Sequence, residues 1–365
     1  MPSRATCGTV AAILVVAATS GCAEAPAGPS ELPLSPVAST DARLSEIDDI
    51  ALVSEQVVCA IDSYETQVRC SDRAGNPVGL FGREGEGPGE FGGLAAIERG
   101  PQGTVGIVDL GLSRLSFHTP SGALVSQVGM PPRFAPHSIA GRSVYGIGVE
   151  FPDGTVGDGG TWIPKEVDAV SGEMLWERSD IEDLADTSCG KVRKGWPDGK
   201  GGFVFWACQA ELVFLADRAA THASVVASPT YTEELPNQRD IDRFIETLAS
   251  MGSIGGGSAS SAAFEVYADE FKETPKRWFL TPEPIKFDLE GRLWVATTRD
   301  RDRYSYLDLW SGQVYIGTVR IRDRLLGYDL LGTTLAALVE RTPDRYGIAK
   351  RAVDWYEVPA LDFGK

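Results

Sequence analysis

The chain has 365 residues, of which 43% are hydrophobic, and this content is typical of a globular protein with a substantial buried core. Its formal net charge is −17 at pH 7, from 51 acidic and 34 basic residues. Because nucleic-acid binding depends on clustered lysine and arginine, this balance argues against DNA or RNA as a partner. An acidic surface of this kind serves solubility or faces a cationic partner.

The first residues have the features of an export signal. Arg4 supplies a short positive region, and residues 10–18 are apolar but too few to span a bilayer. The string Thr-Ser-Gly-Cys that ends at Cys22 resembles the lipobox of bacterial lipoproteins, although Thr19 stands where leucine is usual. The resemblance implies a signal peptide over residues 1–21 and acylation of Cys22, which would anchor the protein to a membrane. Cleavage after Ala27 is the alternative, and it would release a secreted protein.

The remainder of the chain divides into three parts. Residues 22–44 begin with a stretch rich in Pro, Ala, Ser and Gly, which predicts a flexible tether. Residues 45–358 are predicted to be the folded domain, and residues 359–365 a C-terminal tail.

The folded domain repeats one kind of element, a short β-rich run flanked by glycine-bearing turns. Six such runs recur along it, at residues 56–62, 104–109, 143–148, 202–207, 291–296 and 333–338. Their spacing is mostly roughly 40 to 60 residues, the size of a four-stranded propeller blade. Because one such unit cannot bury both of its faces, we predict an all-β fold in which six blades close into a ring, a six-bladed β-propeller. A β-sandwich is the competing architecture.

Four cysteines follow Cys22, and they form two sequence-local pairs that each bracket a predicted hairpin. Export permits disulfides, and the spacing lacks the CxxC pattern of zinc sites. We therefore predict the disulfides Cys59–Cys70 and Cys189–Cys208, with four free buried thiols as the alternative.

The most unusual segment is the glycine-rich loop, residues 81–91, in which glycines alternate with Arg83 and three glutamates. A phosphate-binding loop is excluded, because no Lys-Ser or Lys-Thr follows and the carboxylates would repel phosphate. The glycines favour a tight crossing from the outer strand of one blade to the inner strand of the next. Contact with a ligand is the other interpretation of this loop.

The string GREGEGPGEF in this loop, with Asp109 and a Ser-Arg-Leu strand downstream, resembles the six-bladed propeller lipoproteins, exported bacterial proteins related to NHL-repeat propellers. Residues 285–295 are similar to another recurring element of that family. The resemblance implies the fold and export, and it implies no reaction. The chain departs from the family in an irregular third blade and in a long insertion after Ser228.

That insertion, residues 237–272, is predicted to be helical. Asn237 can cap a helix whose apolar residues follow helical spacing, and residues 252–261 are a glycine- and serine-rich hinge before a second, weaker helix. The two helices either cover a mouth or the rim of the ring, or form a movable lid or a partner-docking hairpin.

No convincing catalytic centre is found in the sequence. Of the three histidines, only His137 is expected near the central channel, and a surface or hydrogen-bonded histidine is the favoured interpretation of it. No Gly-x-Ser-x-Gly elbow follows a strand. We therefore predict neither a metal nor another cofactor, and we keep a metal-dependent hydrolase or lyase with an axial site as the alternative.

The sequence thus favours a monomeric, lipid-anchored propeller that binds an unknown ligand or an envelope protein where loops converge at a mouth of the ring. Candidate contact residues are chosen for their chemistry and loop position: Arg83, Glu86, Glu90, His137, Arg193, Trp196, Arg277 and Trp278.

Overall fold

The computed structural model describes residues 31–41, 47–150, 161–238, 240–242, 244–245, 269, 271–276, 278–280, 284–299, 304–346 and 348–361. These residues form six separate sheets that make up a six-bladed β-propeller, as the recurring β-runs predicted. Within them, none of the helices combines the length and the apolar character needed to cross a lipid bilayer.

The first described elements are two short strands, β1 (Glu31–Pro33) and β2 (Ala38–Asp41), that belong to the last two blades. Blades A, B and C each consist of four consecutive strands, which run in order from the channel outward. Blade A holds β3 (Ile47–Ser54), β4 (Val57–Asp62), β5 (Gln67–Asp72) and β6 (Pro77–Phe81). Blade B holds β7 (Leu94–Arg99), β8 (Val105–Asp109), β9 (Arg114–His118) and β10 (Leu124–Gly129). Blade C holds β11 (Phe134–Ala140), β12 (Ser143–Glu150), β13 (Thr161–Asp168) and β14 (Met174–Glu177).

Blade D continues with β15 (Val192–Pro197), β16 (Phe203–Ala207), β17 (Glu211–Leu215) and β18 (Ser224–Ala227). Blade E contains β19 (Ile285–Phe287), β20 (Leu293–Thr297), β21 (Tyr304–Ser311) and β22 (Val314–Arg322). Blade F contains β23 (Arg324–Leu331), β24 (Thr334–Glu340) and β25 (Arg351–Glu357). A short α-helix, α1 (Ile181–Leu184), and a 3₁₀ turn (Pro101–Gly103) lie between strands.

The described residues bury six hydrophobic clusters, one between each pair of neighbouring blades. The second strand of each blade is buried on both faces, and this explains its continuous apolar sequence, as in β8 and β20. By contrast, the outer strands β6, β10 and β14 are largely exposed. The apolar surface is therefore shielded by the ring and not by any single blade.

The N-terminal strands close this ring. Strand β2 pairs antiparallel with β25 and supplies the outermost strand of blade F, and β1 adds to β22 in parallel as a fifth strand of blade E. The guanidinium of Arg341 contacts Asp354 at 2.7 Å and Ser39 at 2.8 Å, which ties β2 to its blade. The prediction of a flexible tether over residues 22–44 is therefore wrong for residues 31–41, because the open edges of two blades accept this segment as strands.

Both predicted disulfides are confirmed. Cys59 and Cys70 lie directly opposite each other on β4 and β5, with a Cα–Cα distance of 4.0 Å, and we call this bond the blade A disulfide. Cys189 and Cys208 join the segment before β15 to the turn after β16, with a Cα–Cα distance of 5.5 Å, and this is the blade D disulfide. The blade A disulfide is fully buried, whereas Cys189 of the blade D disulfide is exposed.

The described parts of the 237–272 insertion are short helical pieces near its two ends. As predicted, Asn237 caps the first piece, because its side-chain oxygen accepts the backbone N–H of Asp240 at 3.1 Å. Phe244 stacks on Phe271 of the second piece with ring centroids 4.3 Å apart, so the two ends pack on each other. The predicted hinge at residues 252–261 lies outside the described residues.

Candidate functional site

The inner strands of five blades end around one cavity of about 380 Å³ on the axis of the propeller, which we call the axial cavity. Its wall combines polar and apolar residues: Glu98, Arg99, residues 138–140, residues 196–200, residues 285–291, Asp329 and Leu330. A loop from the preceding blade leads into each inner strand. A turn at the other end of the inner strand leads to the second strand of the same blade. Because the cavity forms where the inner strands end, it lies at the mouth opposite to the glycine-rich loop, which precedes β7.

A buried ion pair crosses the channel at this cavity. Lys286 Nζ lies 2.8 Å from Glu98 Oε1, and the two side chains are 12% and 9% exposed. The pair joins β19 of blade E to β7 of blade B, across the ring. Breaking such a pair leaves a charge in a poorly solvated place, so the pair fixes both side chains in position.

Asp49 lies beside this pair, on inner strand β3. Its two oxygens accept the backbone N–H groups of Ile50 at 2.8 Å and Ile97 at 3.3 Å. Burial raises the pKa of Asp49 to about 7, and the charge of Glu98 adds to this effect while that of Lys286 opposes it. The carboxyl group therefore titrates near neutral pH.

His137 is the most unusual group at this end of the channel. It occupies a β-bulge of β11 between Pro136 and Ser138, and bulges of this kind redirect a side chain. The side chain is only 2% exposed, and neither ring nitrogen has a hydrogen-bond partner among the described residues. Its ring lies 4.9 Å from the ring of Trp196, which lines the axial cavity.

The imidazole of His137 is neutral at physiological pH. Burial holds the pKa of His137 well below its ordinary value, and the positive charges of Lys194 and Lys286 act in the same direction. A neutral imidazole offers one N–H donor and one acceptor nitrogen, and neither bonds to another residue that the structure describes. Such a group is paired in most folded proteins, so its isolation here requires an explanation.

The glycine-rich loop is organised by its own residues. Arg83 pairs with Glu90 at 2.8 Å, and the other oxygen of Glu90 accepts the N–H of Gly87 at 2.9 Å. Below the loop, Asp109 accepts the N–H groups of Gly92 and Gly93, each at 3.0 Å. Gly82 adopts a φ of 96°, and a Cβ there would lie 2.6 Å from the ring of Phe91, so the tight crossing requires glycine.

Of the residues predicted as ligand contacts, the structure brings His137 and Trp196 into contact with each other, and Trp196 lines the axial cavity. Arg83, Glu86 and Glu90 lie at the other mouth. Trp278 is 3% exposed and packs in the core between blades D and E, with an edge contact to Tyr231. The side chain of Arg193, and all of Arg277, lie outside the described residues.

Sequence reasoning missed the charged residues of the channel: Asp49, Glu98, Lys194 and Lys286. A usable signal exists, because Lys286 is the single charge of β19, and Glu98 and Arg99 follow four apolar residues in β7. The pairing of Glu98 with Lys286 was out of reach, since 188 positions separate them in the chain. Among the described residues, no group of three or more His, Cys, Asp or Glu side chains is arranged to hold a metal ion.

The search of solved structures finds proteins of similar overall shape. A protein of Bacteroides fragilis NCTC 9343, described as a candidate exported protein, has a TM-score of 0.50 and 10% identity, and the match covers 90% of this chain and 99% of that one. A DUF4221 family member from Bacteroides vulgatus ATCC 8482 gives 0.48 and 9%, over 89% and 95%. A luciferin-regenerating enzyme gives 0.47 and 12%, over 87% and 94%. At these identities the likeness concerns the fold alone. No family model and no curated protein matches the chain.

Proposed function

We propose that this chain is an exported, lipid-anchored β-propeller that acts as a binding module without catalytic activity and takes a small ligand in its axial cavity. The observation that carries the proposal is the cavity itself, whose wall includes the ring of Trp196 with the buried imidazole of His137 packed against it. A volume of about 380 Å³ is in the range of small-molecule sites. The six-bladed ring also provides a rigid scaffold for such a site.

Export is supported by two independent features. The N-terminal segment has the order of a signal peptide followed by Cys22, and both predicted disulfides are present. Disulfides persist in oxidising compartments and are rare in a reducing cytosol. We therefore place the folded domain outside the cytoplasm, held to a membrane by the acylated Cys22.

The anchor is tested by fractionating bacterial cells that express the full chain. The wild type should be found in the membrane fraction and be released by detergent, whereas Cys22→Ser should be found in the soluble fraction. Cys7→Ser is the matched control, since it removes a cysteine inside the predicted signal peptide and should leave fractionation unchanged. An unaltered membrane association of Cys22→Ser would refute lipid anchoring at this residue.

The binding site is tested by capture of small molecules from a cell extract, read by mass spectrometry after rapid gel filtration. Ser138→Trp would fill the axial cavity, because Ser138 lies in its wall. Ser126→Trp on the exposed outer strand β10 is the matched control. We expect a molecule that the wild type and Ser126→Trp retain and Ser138→Trp does not. Equal retention by all three would place binding elsewhere and refute the axial site.

A further inference from the structure

The carboxylates around the axial cavity are already engaged by groups of the protein. The carboxylate of Asp198 accepts two backbone N–H groups of its own turn, at 2.7 and 2.9 Å, and that of Asp329 accepts those of Leu52 and Leu330. Asp288 and Glu290 both bind Arg292, at 2.7 and 3.0 Å. With Glu98 held by Lys286, each negative charge of the wall has a partner within the protein.

Apart from Lys286 and Arg292, the positive charges at the same mouth have no carboxylate partner among the described residues. Arg99 donates to the backbone oxygen of Leu330 at 3.3 Å, and Lys200 extends from its turn over Gly291 of the neighbouring blade. Lys194 is close enough to His137 for its charge to lower the pKa of that imidazole. In the part of the chain that the structure describes, no carboxylate lies within ion-pair distance of Arg99, Lys194 or Lys200.

From these cations without a carboxylate partner we infer that the axial cavity binds a small organic anion, with its oxyanion group at Arg99 and Lys200 and its body against Trp196, whose ring contacts His137. The inference rests on the proposed function and names the ligand class. The acceptor oxygens of the anion would receive charge-assisted hydrogen bonds from the two cations. Apolar wall residues such as Ile139, Ile285 and Phe287 suit the remainder of the molecule.

Two fluorescent probes with the same ring system separate charge from apolar contact. 8-Anilinonaphthalene-1-sulfonate is an anion, and N-phenyl-1-naphthylamine lacks its sulfonate and is neutral. The folded wild type should bind the anion at least roughly tenfold more tightly than the neutral probe, as expected for one charge-assisted contact. Arg99→Gln/Lys200→Gln should weaken binding of the anion by roughly tenfold and leave that of the neutral probe unchanged.

The matched control is Arg345→Gln/Lys350→Gln. It removes the same charge from the loop after β24, which lies on the opposite face of the ring, and it should change neither affinity. Ser138→Trp should abolish binding of both probes at the cavity. In addition, saturating anion should shift the indole NMR signals of Trp196, whereas unchanged signals would overturn the contact given to this residue.

The failures of the two ideas are distinguishable. If both probes bind with equal affinity and both are lost in Ser138→Trp, the cavity is a binding site but the inferred ligand class is wrong. The same holds if Arg99→Gln/Lys200→Gln binds the anion as tightly as the wild type does. If neither probe shows saturable binding that Ser138→Trp removes, the axial site itself is refuted.

Discussion

Asp109 stabilises the crossing between blades A and B, and its removal is predicted to destabilise the whole ring. The side chain is fully buried and accepts the backbone N–H groups of Gly92 and Gly93 at 3.0 Å and of Leu112 at 3.1 Å. It also pairs with the buried guanidinium of Arg114 at 3.3 Å. Asp109→Ala would leave three donors and one cation without their acceptor.

The expected cost follows from these contacts. A backbone donor that loses a charged acceptor costs about 1–3 kcal/mol, and a broken buried ion pair costs about 3–5 kcal/mol. The effects overlap, and Arg114 keeps its bonds to the backbone oxygens of Glu86 and Glu90. We therefore expect Asp109→Ala to lower the free energy of unfolding by about 5 kcal/mol.

The assay is equilibrium unfolding in urea, followed by tryptophan fluorescence of the oxidised protein. Asp344→Ala is the matched control, because Asp344 also accepts two backbone N–H groups, at 2.8 and 3.1 Å, but is exposed. Water can replace its carboxylate, so its loss should cost about 1 kcal/mol or less. If the two variants lose the same stability, the structural role assigned to the glycine-rich crossing is refuted.

Three further predictions concern a disulfide, a buried acid and the ring closure. Under mild native reduction, timed alkylation and mass spectrometry should show the exposed blade D disulfide opening before the blade A disulfide, and simultaneous opening would contradict this. Because the pKa of Asp49 is about 7 in the folded state, above its ordinary 3.8, this group's contribution to stability is present below pH 4 and is lost as pH rises to 7. Between pH 4 and pH 7, the free energy of unfolding of Asp49→Asn, measured in urea, should therefore rise by up to about 4 kcal/mol relative to that of the wild type. A difference between the two proteins that does not change with pH would refute the raised pKa of Asp49. Arg341→Met should cost about 3 kcal/mol because it strands buried Asp354 and removes the partner of Asp323. Arg341→Met/Asp354→Asn should recover part of this loss in the same assay, and no recovery would refute the importance of the Arg341–Asp354 pair.

The fold was predictable because the sequence pattern that indicates a blade occurs six times along the chain. Each blade carries a second strand buried on both faces, and six apolar runs separated by turns leave few other ways to bury them. The strands β1 and β2 were not predictable from composition, since Glu-Leu-Pro and Ala-Ser-Thr-Asp are typical of a linker. They become strands only because blades E and F present open edges, which is a property of the assembled ring.

The candidate site was predictable only in part, for a related reason. His137 was expected near the channel from its place at the start of an inner strand, and it lies in the middle of inner strand β11. Its isolation from hydrogen-bond partners depends on the bulge in β11, which alternation of polar and apolar residues does not indicate. Arg83 and Glu90 were chosen because their charges could bind a ligand. In the structure they form an ion pair with each other, so these charges hold the loop together.

An anion site in a chain of net charge −17 predicts an unusual dependence on salt. The field of the whole protein repels an approaching anion, and it extends about 30 Å at 0.01 M salt but only about 8 Å at 0.15 M. The contacts with Arg99 and Lys200 act at short range, after the ligand has arrived. Stopped-flow measurements with 8-anilinonaphthalene-1-sulfonate should therefore show an association rate constant that rises between these two salt concentrations. A rate constant that falls would mean that the cations at the mouth dominate the field during approach, and the reasoning from net charge would be wrong.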